Sequence, residues 1–574
     1  MATSKVASGE HGLTLRAYPG AGSALLALDL PAAMRSDLAG FAVRYTDPAG
    51  KTAWLSNRLT FDTPVTAQTT PAQRQQIVTT TDRAPLQKFH WVHFPPHLVK
   101  GEYVYEAIAM LFKSGAETDL QPGPSAKVSV NLLEDGYPGF TLGFTRGYVS
   151  SQAYAGRFHN APIVPSPQTV DYPTRPFAER YEWLGFQARE LVFDLLAEAV
   201  RDVGTTLDVF AYDFNEPDII RALAKLGPRL RLFLDDSATH VDDGHGKAPL
   251  EETAEAILAT SAGASRVKVG HFSRFQHNKV MILRRAGTPV KVLSGSANFS
   301  VRGLYVQSNN VFVFDDEQVA GLYGQAFDQA WASPSTVQFA ASAISSQWFT
   351  AQSSRLPKVS VSFSPHQDSG VSLEPVAQAI KDAKSSVLFA IMEIGSGSGP
   401  VLKAVQELPA RKDLYAFGTT QRLDGALSVT KPGEESPFVP FSYLHSKVPP
   451  PFQAEYAGGA GQVIHHKFVV VDFNGPSPVV FAGSSNLAAG GEQENGDNLI
   501  AIHDERVATA YAVEAIGLID HYRFRVVQQA ANDATPLRLK TRSEDWTADY
   551  YDPASPKYRE RLLFAQPPPA KGTQ

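Results

Sequence analysis

Two histidines, two lysines and two asparagines recur in this 574-residue chain at matched spacing. One copy runs His465-His466-Lys467-Phe468-Val469-Val470-Val471-Asp472, then Gly483-Ser484-Ser485-Asn486, then Gly496-Asp497-Asn498. The other runs His277-Asn278-Lys279, then Gly295-Ser296-Ala297-Asn298, then Ser308-Asn309-Asn310. From the His to the Asn of Gly-Ser-x-Asn is 21 positions in both (298−277 and 486−465). From that Asn to the next is 12 in both (310−298 and 498−486). A lone His-x-Lys is usually a solvated strand edge, and a lone Gly-Ser-x-Asn is an ordinary turn. Both together, twice, at equal spacing, define one common site.

On a strand, positions i and i+2 share a face. His465 and Lys467 therefore point together, as do His277 and Lys279, while Phe468 packs away. Asn298 and Asn486 bring an amide, and Ser296 and Ser484 a hydroxyl, to the same pocket as substrate-binding groups. This set suits a phosphodiester. Lys and Asn neutralise the non-bridging oxygens and the transition-state charge. One imidazole attacks phosphorus to form a covalent intermediate. The other protonates the leaving oxygen and then activates water or an alcohol. The two imidazoles are expected about 3–6 Å apart, so that both contact one tetrahedral group. No metal or other cofactor is required, and no carboxylate cluster accompanies either repeat.

The pattern resembles the phospholipase D superfamily, whose signature is a duplicated His-x-Lys-x4-Asp followed by Gly-Ser-x-Asn. The resemblance covers about residues 185 to 525, and the second copy, through Asp472, matches in full. It implies two α/β halves around a pseudo-twofold with one site at the seam. It also implies that Asp472 is a structural part of the motif. The first copy departs twice. Arg284 replaces the motif Asp, and Asn309 stands where the family carries an acidic residue that orients a His. Asn309 and Asp497 each lie 32 positions after their own His (309−277 and 497−465). On that spacing Asp497 is expected to partner His465, and Asn309 to partner His277. A carboxylate raises the pKa of an imidazole. His465 is thus expected to be protonated as general acid/base, and His277 neutral as nucleophile. The family order implies the same roles.

The elements that must position these residues follow a clear order. Residues 1–133 read as an all-β sandwich of fibronectin or immunoglobulin type, from short apolar runs such as Leu13 to Tyr18 and Tyr103 to Phe112. Residues 134–184, rich in Gly, Pro and aromatics, read as a linker wrapping the next region. Strand–helix alternation then gives a first phospholipase D-like half over 185–355 and a second over 356–530. Residues 531–574 read as a poorly ordered C-terminal tail.

Composition narrows the partners. The chain is 43% hydrophobic and 19% charged, which excludes disordered and fibrous classes. A net charge of −6 argues against a dedicated nucleic-acid binder. It has no cysteine, so thiolate metal sites and disulfides are excluded. No signal peptide and no transmembrane run is read from the sequence. A cytoplasmic or membrane-peripheral protein is expected, with oligomeric state undetermined. The insertion 425–461 is rich in Pro and carries Phe438, Phe441, Tyr443, Phe452 and Tyr456. It reads as packing or as a lid in interfacial contact. His240, Asp242, Asp243 and His245 have ligand-like spacing but read as a mobile loop, and His445-x-Lys447 reads as a loop without the second motif. His271, Phe272, Phe275 and Gln276 read as pocket wall. The expected activity is a metal-independent phosphodiesterase that hydrolyses or exchanges phospholipid head groups through a phosphohistidine. The alternatives are a nuclease using the same two His, and an inactive scaffold binding through the sandwich.

Overall fold

Alternating apolar and polar residues build two four-stranded antiparallel sheets in the first 131 residues of the computed structural model. The structure describes residues 4–133, 136–147, 151–237, 250–394, 399–423, 438–440 and 464–566. The 240–245 loop, His445, Lys447 and the insertion, apart from the strand Phe438–Pro440, lie outside the described residues. One sheet orders Lys5–Ser8, Thr14–Pro19, Ala24–Asp29 and His90–His93; the other orders Leu120–Asn131, Glu102–Phe112, Leu38–Thr46 and Thr52–Trp54. The strand Glu102–Phe112 shows why they pack. Tyr103, Tyr105, Ala107 and Ala109 point inward and are buried, while Glu102 is exposed. They meet Leu15, Leu26, Phe41 and Val128 in the sandwich core.

Two α/β halves follow. The helix Ala178–Arg201 buries Leu184, Ala188, Val192, Leu195 and Ala199, one amphipathic stripe. The first sheet orders Phe140–Phe144, Asn310–Phe314, Thr288–Gly295, Val280–Arg285, Thr205–Ala211, Leu230–Leu234 and Val267–Val269. The second orders Phe349–Thr350, Lys358–Ser364, Asn495–His503, Val479–Gly483, Lys467–Val471, Ser386–Ile394, Tyr415–Leu423 and Phe438–Pro440. Both are mixed in the same way. Thr205–Ala211 runs parallel to one neighbour and antiparallel to Val280–Arg285, and Ser386–Ile394 does the same with its neighbours. Residues Phe140–Phe144, inside the stretch expected to be a linker, instead take the sheet position that Lys358–Ser364 takes in the second half. Its Phe140 and Phe144 are buried, which draws the segment onto the sheet.

The halves interlock at the seam. Phe275–Gln276 of the first half pairs with Asn495–His503 of the second, Gln276 opposite Gly496. Ser308 of the first half pairs with Ile464 of the second. These two bridges exchange under a shift of 188 positions (464−276 and 496−308), the same shift that relates the two histidines (465−277). One buried cluster, including Phe312, Phe363, Val480 and Ile500, crosses the seam.

The expected tail is also corrected over 531–566, the part of it that the structure describes. Phe564 is fully buried, Tyr550 joins the sandwich core, and Trp546 and Tyr550 lie 5.6 and 4.9 Å from Phe89. These aromatics bury enough apolar surface to order the segment. Polar contacts fix it. Arg16 Nε donates to Ala565 O at 3.2 Å, and Tyr18 OH to Phe564 O at 2.7 Å. Among the described residues no helix is long and apolar enough to cross a membrane.

One buried imidazole clamps three regions together. His90 of the sandwich meets Asp520 of the helix Glu505–Ala530 at 2.9 Å and Glu560 of the helix Pro556–Ala565 at 2.8 Å. Burial alone would lower the His90 pKa, but Asp520 and Glu560 together overcome it and raise it to about 9. A raised folded-state pKa stabilises fully below the unfolded value and loses its effect as pH rises through the folded value. Stability is therefore expected to fall between about pH 6.5 and about 9. His90→Gln should cost about 3–5 kcal/mol at pH 6, because Glu560 stays buried without its cation and Asp520 keeps only Lys88. It should also flatten the alkaline slope. Urea midpoints across that range check both, and an unchanged slope in the variant would remove His90 as the cause.

Candidate active site at the seam

The repeated glycine is set by close backbone approach. Gly295 and Gly483 end their strands at φ 149° and 150°. A Cβ on either would stand 2.3 Å from the carbonyl oxygen of Asn310 or Asn498. Only glycine fits there, and the turn then delivers Ser296 and Asn298, or Ser484 and Asn486, to the seam. The histidines are set by crossed backbone bonds. His277 N donates to Gly496 O at 2.9 Å, and His465 N to Ser308 O at 3.3 Å.

The crossing decides which group orients which imidazole, and it overturns the expected pairing. His277 Nδ1 lies 2.8 Å from Asp497 Oδ1, and His465 Nδ1 lies 2.9 Å from Asn309 Oδ1. Each partner comes from the other half. The 32-residue spacing within a half placed the acidic residue by sequence distance, whereas the backbone exchange at the seam places it in space. The carboxylate therefore serves His277. Both ring contacts use Nδ1, so Nδ1 carries the proton and Nε2 is left to present a lone pair.

Ser296 and Ser484 also differ from the expectation that they bind substrate. Ser296 Oγ donates to Asn309 Oδ1, and Ser484 Oγ to Asp497 Oδ1, both at 2.7 Å. Both serines are fully buried. Each hydroxyl also accepts a backbone N–H at 3.0 Å, from Asn310 and Asn498. They are positioning groups for the residues that hold the imidazoles.

The lysines lie beside their histidines. Lys467 Nζ donates to His465 O at 2.7 Å, and Lys279 Nζ donates to His277 O. Asn298 Nδ2 donates to Asp213 Oδ2 at 3.0 Å. The amide oxygens of Asn298 and Asn486 have no hydrogen-bond partner among the described residues. Behind the site, Asn498 Nδ2 donates to Asn278 Oδ1 at 2.8 Å, and His466 Nε2 meets Glu514 Oε1 at 3.0 Å.

Burial and two ammonium groups set the protonation states. Burial, then Lys279, lowers the His277 pKa to about 4 despite Asp497. Burial, then Lys467 and Lys279, holds His465 well below the usual imidazole range. Burial lowers Lys279 to about 8, against Asp497, Asp213 and Asp235. Burial would raise Asp497, but His277 and Lys279 overcome it and hold its carboxyl below the usual range. At neutral pH the free site thus holds neutral imidazoles, a carboxylate and cationic Lys279. The expectation that His465 stands protonated is corrected: its partner is a neutral amide, and two lysines oppose its charge.

The motif positions off the centre separate in role. Asp472 accepts from the backbone N–H of Lys384, Ser385 and Ser386 at 2.7–3.0 Å, and so fixes the entry to the strand Ser386–Ile394. Arg284 instead donates to Asp208 at 2.5 Å and Asp328 at 3.0 Å. It replaces a loop tie with an ion-pair ladder away from the histidines.

Several residues escaped the sequence reading. Tyr212 lies 4.9 Å from the His277 ring and carries Lys279 Nζ over its face at 4.9 Å. Asp213 pairs with Arg302 at 3.1 Å as well as Asn298. Both follow the strand Thr205–Ala211, and polar residues just past the carboxyl end of a sheet strand were the available signal. Met392 Sδ, 3.9 Å from Lys467 Nζ, corresponds to Tyr212 in the second half. Of the expected pocket wall, Phe275 packs 5.6 Å from Tyr212, whereas Gln276 is spent on backbone bonds to Ala211 and Asn278.

Comparison with known proteins bears on the first half most directly. Residues 194–331 match the family model described as cardiolipin synthase, PLD-like domain. Comparison with curated proteins yields no match. Among solved structures, the phospholipase D family member Nuc from Salmonella typhimurium is 25% identical, covering 24% of this chain and 85% of that one, with a TM-score of 0.20. Phosphatidylserine synthase from Haemophilus influenzae is 12% identical, covering 65% of this chain and 90% of that one, with a TM-score of 0.38. Polyphosphate kinase from Porphyromonas gingivalis is 12% identical, covering 76% and 81%, with a TM-score of 0.38. Residues 194–331 are thus similar to the PLD-like domain, and the duplicated His-x-Lys and Gly-Ser-x-Asn motifs carry that likeness across both α/β halves.

Proposed function

We propose that the seam is a metal-independent phosphodiesterase site that hydrolyses or transfers the head group of a phospholipid through a phosphohistidine on His277. The observation that supports it most is the crossed pair of imidazoles, each held at Nδ1 by a residue of the other half. Asp497 stabilises the positive charge that grows on His277 as its Nε2 bonds to phosphorus. Lys279, Lys467, Asn298 and Asn486 take the non-bridging oxygens. The anionic substrate offsets the two ammonium groups beside His465, so that His465 gains a proton and gives it to the leaving oxygen. Neutral His465 then takes a proton from water or an alcohol, which attacks phosphorus and frees His277. The aromatic insertion and the mild acidity favour a lipid over a polynucleotide. Incubation in chelator with phosphatidylcholine vesicles, single-stranded DNA and duplex DNA tests the reading. Turnover of the lipid is expected; cleavage of DNA alone would make the site a nuclease.

Two further outcomes are expected. Lys467→Met should lower turnover about 10²–10³-fold, the usual loss for one preorganised charged donor. Near wild-type turnover would put the chemistry elsewhere. Binding of inorganic phosphate near pH 7 should take up protons, because the anion raises two imidazole pKa values that burial and lysines hold low. Calorimetry in buffers of different ionisation enthalpy reads this directly, and buffer-independent heat would contradict it.

A further inference from the structure

Away from the seam, a cavity of about 790 Å³ lies where the sandwich, the helix Ala178–Arg201, the helix Glu505–Ala530 and the C-terminal segment meet. Its size is that of a small-molecule site, and domain junctions are where such sites occur. Its wall is aromatic, with Trp91, Phe94, Trp183, Phe524 and Trp546. Six cationic and three acidic side chains also line it. The acids are paired: Asp520 with Lys88 at 2.7 Å, Asp549 with Lys557 at 2.8 Å, and Asp545 with Arg35 at 4.0 Å. Arg157 and Lys540 pair with Glu179 and Glu544 at 3.1 and 3.2 Å.

Arg146 is different. It lines the cavity, is 7% exposed, and has no carboxylate partner among the described residues. One guanidinium nitrogen, Nη2, donates to Pro95 O at 3.0 Å, and Nε has no hydrogen-bond partner in the protein. Its guanidinium carbon lies 4.1 Å from the centre of the Phe186 ring and 5.1 Å from that of the Trp183 ring, so two aromatic rings hold the cation in place. Burial, then Arg157, lowers its pKa to about 10, so it stays cationic at neutral pH. A buried, unpaired cation is costly unless a counter-charge meets it. Arginine is suited to planar, two-point recognition of a carboxylate or phosphate.

We propose that this cavity binds an anionic amphiphile, with its oxyanion head on Arg146 and its apolar body against the tryptophans and phenylalanines. The site is separate from the seam and does not depend on the seam's activity. Trp91, Trp183 and Trp546 supply the readout. The full chain is titrated with decanoate, decyl phosphate and decanol below their micelle concentrations, and tryptophan fluorescence is followed. Saturable one-to-one binding of an anion is expected, at least tenfold tighter than decanol; which anion binds tighter identifies the head group. Arg146→Gln should weaken anion binding at least tenfold and leave decanol unchanged. Ala153→Trp, at an exposed position on the cavity wall, should block all three ligands while Arg146 is intact, and so tests the site even where Arg146→Gln does not fold. Equal binding of decanol and the anions, anion binding unaffected by either variant, or no saturable binding would overturn the proposal.

Discussion

His277→Ala is expected to lower turnover by about 10⁴-fold or more, the scale seen when a covalent nucleophile is removed. With His277 gone, Lys279, Lys467 and the asparagines can still hold the substrate, so KM should change little. The chemical step loses its attacking atom, and His465, partnered by neutral Asn309, is a poor substitute. The folded state must be checked, since Asp497 loses a buried partner at 2.8 Å. A variant with wild-type melting and near wild-type kcat would move the nucleophile elsewhere.

Asp497→Asn is expected to lower kcat about 10³–10⁴-fold with little change in KM, by analogy with the loss when an orienting carboxylate becomes an amide. The side chain keeps its shape and can still accept from Ser484, so folding and binding are preserved. In the proposed mechanism, what disappears is the negative charge that offsets the phosphorylated imidazole. Asn309→Ala should do less, because Asn309 orients His465 without charge. Steady-state kinetics of both variants make the comparison. If Asn309→Ala lost more than Asp497→Asn, the crossed carboxylate would not be the group that matters.

Much of this site was legible in the sequence because spacing repeated. Equal offsets of 21 and 12 positions (298−277 and 310−298) marked His277, Lys279, Asn298, His465, Lys467 and Asn486 as one set. The strand–helix alternation expected from residue 185 was legible too, and the strand Leu230–Leu234 followed by the helix Leu250–Ala262 is one instance of it. What spacing could not show was exchange. The partner of His277 lies 220 positions away, and only the pairing of Gln276 with Gly496 brings it there. The serines misled because a hydroxyl beside a motif can face substrate or its own neighbours, and burial decides which. The C-terminal segment misled because a chain terminus is by default poorly ordered, while Trp546, Tyr550 and Phe564 carry enough apolar surface to dock. Phe140–Phe144 was masked by the Gly and Pro around it, although its buried faces complete a sheet edge.

Trapping the covalent intermediate decides whether His277 is the nucleophile. The protein is mixed with a short-chain phosphatidylcholine in chelator, quenched within the first turnovers under alkaline conditions, and digested for peptide mapping. A phosphatidyl adduct on the peptide containing His277, absent from Asp497→Asn at the same time point, is the expected result. An adduct confined to the peptide carrying His465, or turnover with no adduct on either histidine, would contradict it.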